Sequence, residues 1–434
     1  MKARLNFLKW WCKLTGCVAL ACILLTACTS QQPSAMTPVQ EEASVTEEGQ
    51  TLTVVNPESI NNTAVDTKAE EGKKYQIQTR LTDFKLLSET TGLAWGATRN
   101  ELRLYLTQDR GKTWTNISPA SSVQFPNSLE FGKDLFFIDP INGWIVRNSL
   151  GSGEAIVLRT IDGGLTWKMS SLPEASSVSA IYFIDQQYGW ILTENSDGVK
   201  TLYRTVNGGA SWNKVMSSPL IHESTENELV LPRAGHAVAM TFTNKSNGFV
   251  TTLDQGQPKL FMTNSGGAQW KENIQFFNPS KYTKCKSFVV GSPTFFSDNT
   301  KSGYVPVGCS KEDTMKFNGY FTSDSGASWT LAPFGLPWQS VKSEDHELQA
   351  PYFLNEQTGW SIQGTTVLHT TNQGKDWVAL PESEKLTEVL LEYREIVKMQ
   401  FYSESAGWLL VSKSDHKRSL LLQTQDGGIS WRVL

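Results

Sequence analysis

The sequence predicts an all-β chain: a seven-bladed β-propeller of four-stranded antiparallel blades, carried behind an export signal and a polar tether. Three observations lead there. A pattern of Thr, then Gly four residues on, then Trp seven residues on occurs seven times between residues 107 and 431. A second pattern, an apolar strand meeting a turn that closes on Gly plus an aromatic residue, interleaves with the first. The repeated Trp residues are 53, 45, 58, 59, 48 and 54 residues apart, and a period near 50 marks a propeller or solenoid.

The chain has 434 residues, 39% of them hydrophobic and 11% aromatic, enough to bury a sizeable core. Its 39 Lys and Arg nearly balance 43 Asp and Glu, giving a net charge of −4, and this argues against nucleic acid as a partner. The five His show no metal-ligand spacing, so no metal and no cofactor are expected.

Residues 1–27 read as an address. Lys2, Arg4, Lys9 and Lys13 form a positive leader, and the apolar run over 14–27 is short for a membrane span. It ends Leu25-Thr26-Ala27-Cys28, which resembles the lipobox of bacterial lipoproteins, whose implied product is a mature chain lipidated at Cys28. An ordinary secretory signal with a chance cysteine is the alternative. Acyl chains in combination give durable anchoring, so the resemblance implies a protein held on the outer, extracytoplasmic face of a cell membrane. With Cys12, Cys17 and Cys22 removed with the signal, Cys285 and Cys309 remain, a disulfide pair or two buried thiols. Residues 28–74 are rich in Gln, Ser, Thr, Pro and Glu, without apolar periodicity, and predict a flexible acidic tether. The propeller is expected over 75–434.

The Thr-to-Trp copies run 107–114, 160–167, 205–212, 263–270, 322–329, 370–377 and 424–431. Their third positions are Asp109, Asp162, Asn207, Ser265, Asp324, Asn372 and Asp426, side chains that hydrogen-bond the backbone of their own turn, and the following Gly supplies positive φ. Their last positions, Trp114, Trp167, Trp212, Trp270, Trp329, Trp377 and Trp431, open the next strand, where a large ring can close over the hairpin. The second pattern includes Gly143-Trp144, Gly189-Trp190, Gly359-Trp360 and Gly407-Trp408. Each repeat therefore reads strand, turn, strand, loop, strand, turn, strand, which is one blade. Of 15 Trp, only Trp338 falls outside both patterns and the signal. The C-terminal strand belongs to blade 7, so the ring is expected to close by packing blade 7 on blade 1, with residues 75–81 as a possible clasp.

These turns resemble the Asp-box, or BNR, repeat, and the blade pattern looks most like the photosystem II stability and assembly factor propellers, a family with bacterial lipoprotein members. The resemblance covers 75–434. It implies an extracytoplasmic propeller that binds a partner protein; the photosystem itself is not carried over. Ser265 and Phe249 depart from the pattern, which puts the sharpness of their turns in question.

In such a blade the first-to-second and third-to-fourth turns share one face, leaving connectors and second-to-third loops on the other, where binding is expected. The connectors after Trp212 and Trp270 are the longest, carrying His222, Arg233 and His236, then Tyr282, Lys284 and Cys285. Trp338 and the pair Tyr393 and Arg394 follow in later connectors. Trp or Tyr beside Arg is a plausible anchor, and these seven residues, His222, Arg233, His236, Tyr282, Trp338, Tyr393 and Arg394, are the candidate binding set. The expected function is a membrane-anchored, non-catalytic scaffold for an envelope or cell-surface protein. The alternative is a carbohydrate-active propeller: a sialidase-like or glucanase-like hydrolase, or a polysaccharide-binding module. A sialidase needs clustered Arg, a Tyr–Glu pair and an acid; the stretch over 78–82 lacks the Arg-Ile-Pro hallmark, and no catalytic residue is assigned.

Overall fold

The repeated turn folds because side chains take over hydrogen bonding where the strand ladder reverses. In all seven copies the Thr hydroxyl oxygen accepts the Gly N–H at 2.7–3.0 Å. In blade 1 that hydroxyl donates to Asp109 Oδ1 at 2.8 Å, and the carboxylate accepts from the Thr113 amide at 2.9 Å and its hydroxyl at 2.6 Å. Where Asn replaces Asp the direction of the last bond changes: Asn372 Nδ2 donates to Asp376 Oδ2 and Asn207 Nδ2 to Ser211 Oγ, both at 2.9 Å. Ser265 keeps the turn as well, its Oγ accepting from the Gln269 amide at 2.8 Å. The question raised by that departure is answered: a hydroxyl suffices.

The computed structural model describes residues 50–55, 74–98, 101–120, 125, 129–148, 155–173, 177–219, 229–282, 284–296, 300–341 and 348–434. It shows seven antiparallel sheets in chain order, blades 1 to 7, spanning 83–116, 135–172, 177–217, 236–272, 287–340, 352–379 and 395–433. Each has four strands, and blade 5 has extra short segments. The fourth strands of blades 1, 4, 6 and 7 are two residues long. Outer strands this short leave little free edge for unwanted pairing. The expected signal over 1–27, and with it Cys28, lies outside the described residues.

In every blade the residue before the turn's Gly donates its amide to the first turn of the same blade at 2.8–3.0 Å, as in Arg110 to Thr90 O and Gly427 to Ser405 O. The two repeated turns are thus bonded to each other on one face, as the sequence predicts. That donor position has positive φ in all seven copies, Gly in four, and Arg110, Ser325 and Gln373 in the others at 61–62°.

Blades pack through aromatic stacks. Trp144 of blade 2 lies 3.6 Å from Phe183 of blade 3, Trp190 lies 3.7 Å from Phe242, and Trp360 lies 3.9 Å from Phe401. The same indoles donate to Gly208 O, Gly266 O and Gly427 O in the following blade. Gly189 is required here because a Cβ would run into the Phe183 ring. Blade 4 has Phe249 at this position, and a cleft of about 460 Å³ opens beside it toward Asp324 and Ser325 of blade 5.

The ring closes by blade 7 meeting blade 1. Gln400 accepts from Leu86 N at 3.0 Å and donates to Leu86 O at 3.3 Å, while Lys398 Nζ donates to Asp83 Oδ1 and Phe84 O, both at 2.8 Å. A separate hairpin spans this seam: β1 (Gln50–Val55) pairs with β2 (Lys74–Thr79). Val55 donates to Trp114 O and Trp114 to Thr53 O, while Gln50 accepts from Leu421 N at 2.7 Å and donates to Leu434 O at 2.5 Å. This corrects the expected boundary at residue 75, because β1 lies inside the segment read as tether. The alternation Leu52, Val54 with Thr51, Thr53 buries one side against blades 1 and 7, a strand signal too short to stand out in a polar stretch.

Candidate functional site

The faces differ in construction. The turn face is seven copies of one bonded unit, and its polar side chains are largely spent on it. Burial pushes the Asp109, Asp162, Asp324 and Asp426 carboxyls up, but hydrogen bonds from the neighbouring hydroxyl and amide outweigh it and hold each below its ordinary value. The two turns of blade 2 also carry exposed apolar side chains, Ile141, Ile161 and Leu165.

The centre of the disc is occupied. Residues 129–134, at the end of the connector between blades 1 and 2, reach across to blade 3, where Ile181 N donates to Gly132 O at 2.8 Å. Phe131 then stacks on Phe136 at 5.1 Å, with Lys85 Nζ 4.9 Å and Lys398 Nζ 6.0 Å from its ring centre. Burial, aided by the Lys398 charge and opposed by Asp83, lowers the Lys85 ammonium to a pKa of about 8.

The loop face gathers the predicted binding residues, in unequal states. His222 lies outside the described residues. Arg233 donates twice to Asp197 O, at 2.7 and 3.1 Å. Beside it, Lys200 has a fully buried side chain whose ammonium donates to Gly235 O at 2.6 Å, Pro232 O at 3.0 Å and Arg233 O at 3.2 Å. Burial lowers its pKa and Glu194 opposes this. These bonds hold residues 232–235, at the end of the blade 3–4 connector, against blade 3. His236 is exposed and its Nδ1 meets Glu194 Oε1 at 3.0 Å.

Tyr282 and Tyr393, expected as surface anchors, are buried. Tyr282 donates to the Tyr320 hydroxyl at 3.1 Å and packs on Phe277 and Phe288. Tyr393 is 1% exposed and caps a helix the sequence reading did not anticipate, α1 (Glu384–Glu392). Ser383 caps its N-terminus, and Leu386, Val389 and Leu390 fall on one helical face against blade 7. Both tyrosines support the face from beneath. Arg394 is exposed, donates to Leu391 O at 3.3 Å, and borders a cavity of about 590 Å³ between blades 6 and 7 with Gln349, Ser361, Gln363 and Met399.

Trp338 is 40% exposed. It stands on blade 5, whose central strands, Gly303–Lys311 and Thr314–Thr322, are nine residues each, against five in blade 6. The extra length, roughly 13 Å at strand rise, raises this hairpin on the loop face. Gln339–Ser340 pairs with Thr314 and Met315 at its tip. Cys285 and Cys309 form a disulfide that ties the preceding connector to it. Lys281, Lys284, Lys316 and Asn318 join Trp338 around a cavity of about 320 Å³ at this disulfide. The sequence reading missed Lys281, Lys316 and the raised hairpin. The signal was present: Gly303 and Thr322 are 19 residues apart, where Gly359 and Thr370 are 11 apart.

Among the described residues no group of three His, Cys, Asp or Glu is arranged to hold a metal, and no helix is long and apolar enough to cross a membrane.

No family model matches this chain, and no curated protein matches it. Solved propeller structures do. The GH74 xyloglucanase from Xanthomonas campestris is 11% identical with a TM-score of 0.45, over 81% of this chain and 60% of that one. SapL1 lectin, solved in complex with alpha methyl fucoside, is 12% identical with a TM-score of 0.41, over 67% of this chain and 92% of that one. Saccharomyces cerevisiae Sqt1 is 11% identical with a TM-score of 0.42, over 79% and 81%. This chain thus spans 60% of the xyloglucanase, and it spans 49% of a similar prolyl endopeptidase chain. At these identities the likeness is one of fold.

Proposed function

We propose that this protein is a non-catalytic binding propeller, tethered by a lipid on Cys28 to the outer face of a membrane, that engages an envelope protein through its loop face. Membership of the photosystem II assembly factor-like propellers is part of the same reading, supported by the seven Thr-to-Trp turns. The observation that carries it is blade 5. Its hairpin is raised above the loop face and covalently braced by Cys285–Cys309, and it displays the one Trp that neither repeat needs. Rigid presentation of an aromatic anchor lowers the ordering cost of binding.

The test is crosslinked affinity capture from intact cells with the lipidated chain, using the tether alone as control. Saturable recovery of one envelope protein, with crosslinks on the connectors after Trp212, Trp270 and Trp329, is the expected result. Recovery that the tether alone reproduces overturns the reading.

A further inference from the structure

The cavity beside Trp338 carries an unbalanced charge. Three ammonium groups border it, from Lys281, Lys284 and Lys316, and no carboxylate does. Among the described residues none of the three has an ion-pair partner, whereas Lys259, Lys398 and Lys413 each meet an acid. Burial pulls the Lys316 ammonium below its ordinary value, as expected of a desolvated cation with no counter-charge. An anion is what the site lacks.

The site is also built. Cys309 sits directly opposite Lys316 in the strand register and opposite Phe288 on its other side. The disulfide from Cys309 to Cys285 therefore fixes Lys284, the residue before Cys285, close to Lys316. Pairing of Gln339 with Met315 brings Trp338 to the same hairpin. Three separate segments are held together by one covalent bond and a strand ladder, so little order remains to be imposed by a ligand. Asn318 Oδ1 accepts from Phe334 N at 3.1 Å, which leaves its amide N–H groups for the cavity.

We propose that this cavity binds a carboxylate-bearing sugar, an acidic unit of an extracellular polysaccharide. Its pyranose C–H face rests on the Trp338 indole, its carboxylate sits among the three ammonium groups, and a hydroxyl accepts from Asn318. The volume lies at the lower end of the range for small-ligand pockets, suiting one or two sugar rings. An acidic peptide would satisfy the charge but has no flat C–H face to cover the indole. The inference takes its location from the reading of the loop face as the binding face. It does not require a protein partner.

The experiment is calorimetric titration of the full chain with trigalacturonate, its methyl ester, a triglutamate peptide and sodium sulfate. Binding of trigalacturonate alone is expected, weakening as salt is raised. Trp338→Ala should weaken it by on the order of tenfold, about 1.4 kcal/mol, and Lys316→Gln should reduce both affinity and salt dependence. A Cys285→Ser, Cys309→Ser chain that keeps the wild-type circular dichroism spectrum should also bind more weakly. Equal binding of triglutamate or sulfate, binding unchanged in Trp338→Ala, or no binding at all overturns the proposal. Crosslinked capture reads protein contact and this titration reads sugar, so either reading can fail without the other.

Discussion

Trp144 in blade 2 is fixed twice by blade 3: its ring lies parallel to Phe183 at 3.6 Å, within 9°, and its indole N–H donates to Gly208 O at 2.8 Å. The blade interface is thus a stack and a hydrogen bond between the same two blades, repeated by Trp190 and Trp360. Trp144→Phe should keep the stack and lose the bond, costing about 1–2 kcal/mol, while Trp144→Ala should cost about 3–5 kcal/mol. Urea unfolding followed by fluorescence distinguishes the two; an unchanged midpoint in Trp144→Phe would mean the bond to Gly208 contributes nothing, and equal losses in both variants that the stack on Phe183 adds nothing.

Three of the seven turns place a side-chain residue where four place Gly. Ser325 and Gln373 hold φ of 61° and 62°, a region that costs residues with a Cβ about 1–2 kcal/mol. After allowing for the greater chain entropy of Gly, Ser325→Gly and Gln373→Gly should each stabilise by about 0.5 kcal/mol and add. A melting temperature that falls in the double variant would show that these side chains contribute contacts of their own.

The turn carboxylates contribute to stability in acid. The Asp109, Asp162, Asp324 and Asp426 carboxyls are held below their ordinary values in the folded chain. Their stabilisation is therefore complete above the unfolded value near about 4 and is lost as pH falls through the lower folded values. Replacing all four by Asn, which Asn207 and Asn372 show the turn accepts, should flatten the fall in melting temperature below about pH 4. An unchanged acid limb would assign the sensitivity to other groups.

Lys85 behaves in the opposite sense. Its ammonium, lowered to about 8 by burial, is disfavoured in the folded chain relative to the unfolded one. The penalty is full below about pH 8 and disappears as pH approaches the unfolded value near about 10.4. Lys85→Met should raise the melting temperature at pH 7, and the gain should shrink on titrating to pH 10. A destabilised variant at pH 7 would mean that the contact with the Phe131 ring outweighs the burial of charge.

The propeller was legible because each repeated residue has a local duty. A Thr hydroxyl, an acceptor two residues on and a Gly after that define a turn without help from the rest of the chain, so seven copies could be counted. The stacks between blades use other residues, Trp144, Trp190 and Trp360 of the second pattern, whose partners lie in the next repeat and carry no local signal. The loop face was less legible since its residues act through partners distant in sequence. Tyr393 and Tyr282 have the composition of anchors, and only the packing of Leu390 or Tyr320 shows them to be interior. Lys316 lies in the middle of a strand, and its meaning depends on a disulfide formed with Cys309 across the ladder. β1 was hidden for a similar reason: six residues in a polar stretch become a strand only because blades 1 and 7 offer an apolar seam.

That seam has a mechanical consequence. The chain enters the disc at Gln50, whose side chain grips Leu421 N and Leu434 O of the last blade while the strand it begins is bonded to Trp114 of the first. Any pull on the segment ahead of Gln50 is delivered to the joint between the two ends of the ring. The tensile strength of the attachment and the strength of the closure are therefore one property, and a load that slackens the first opens the second.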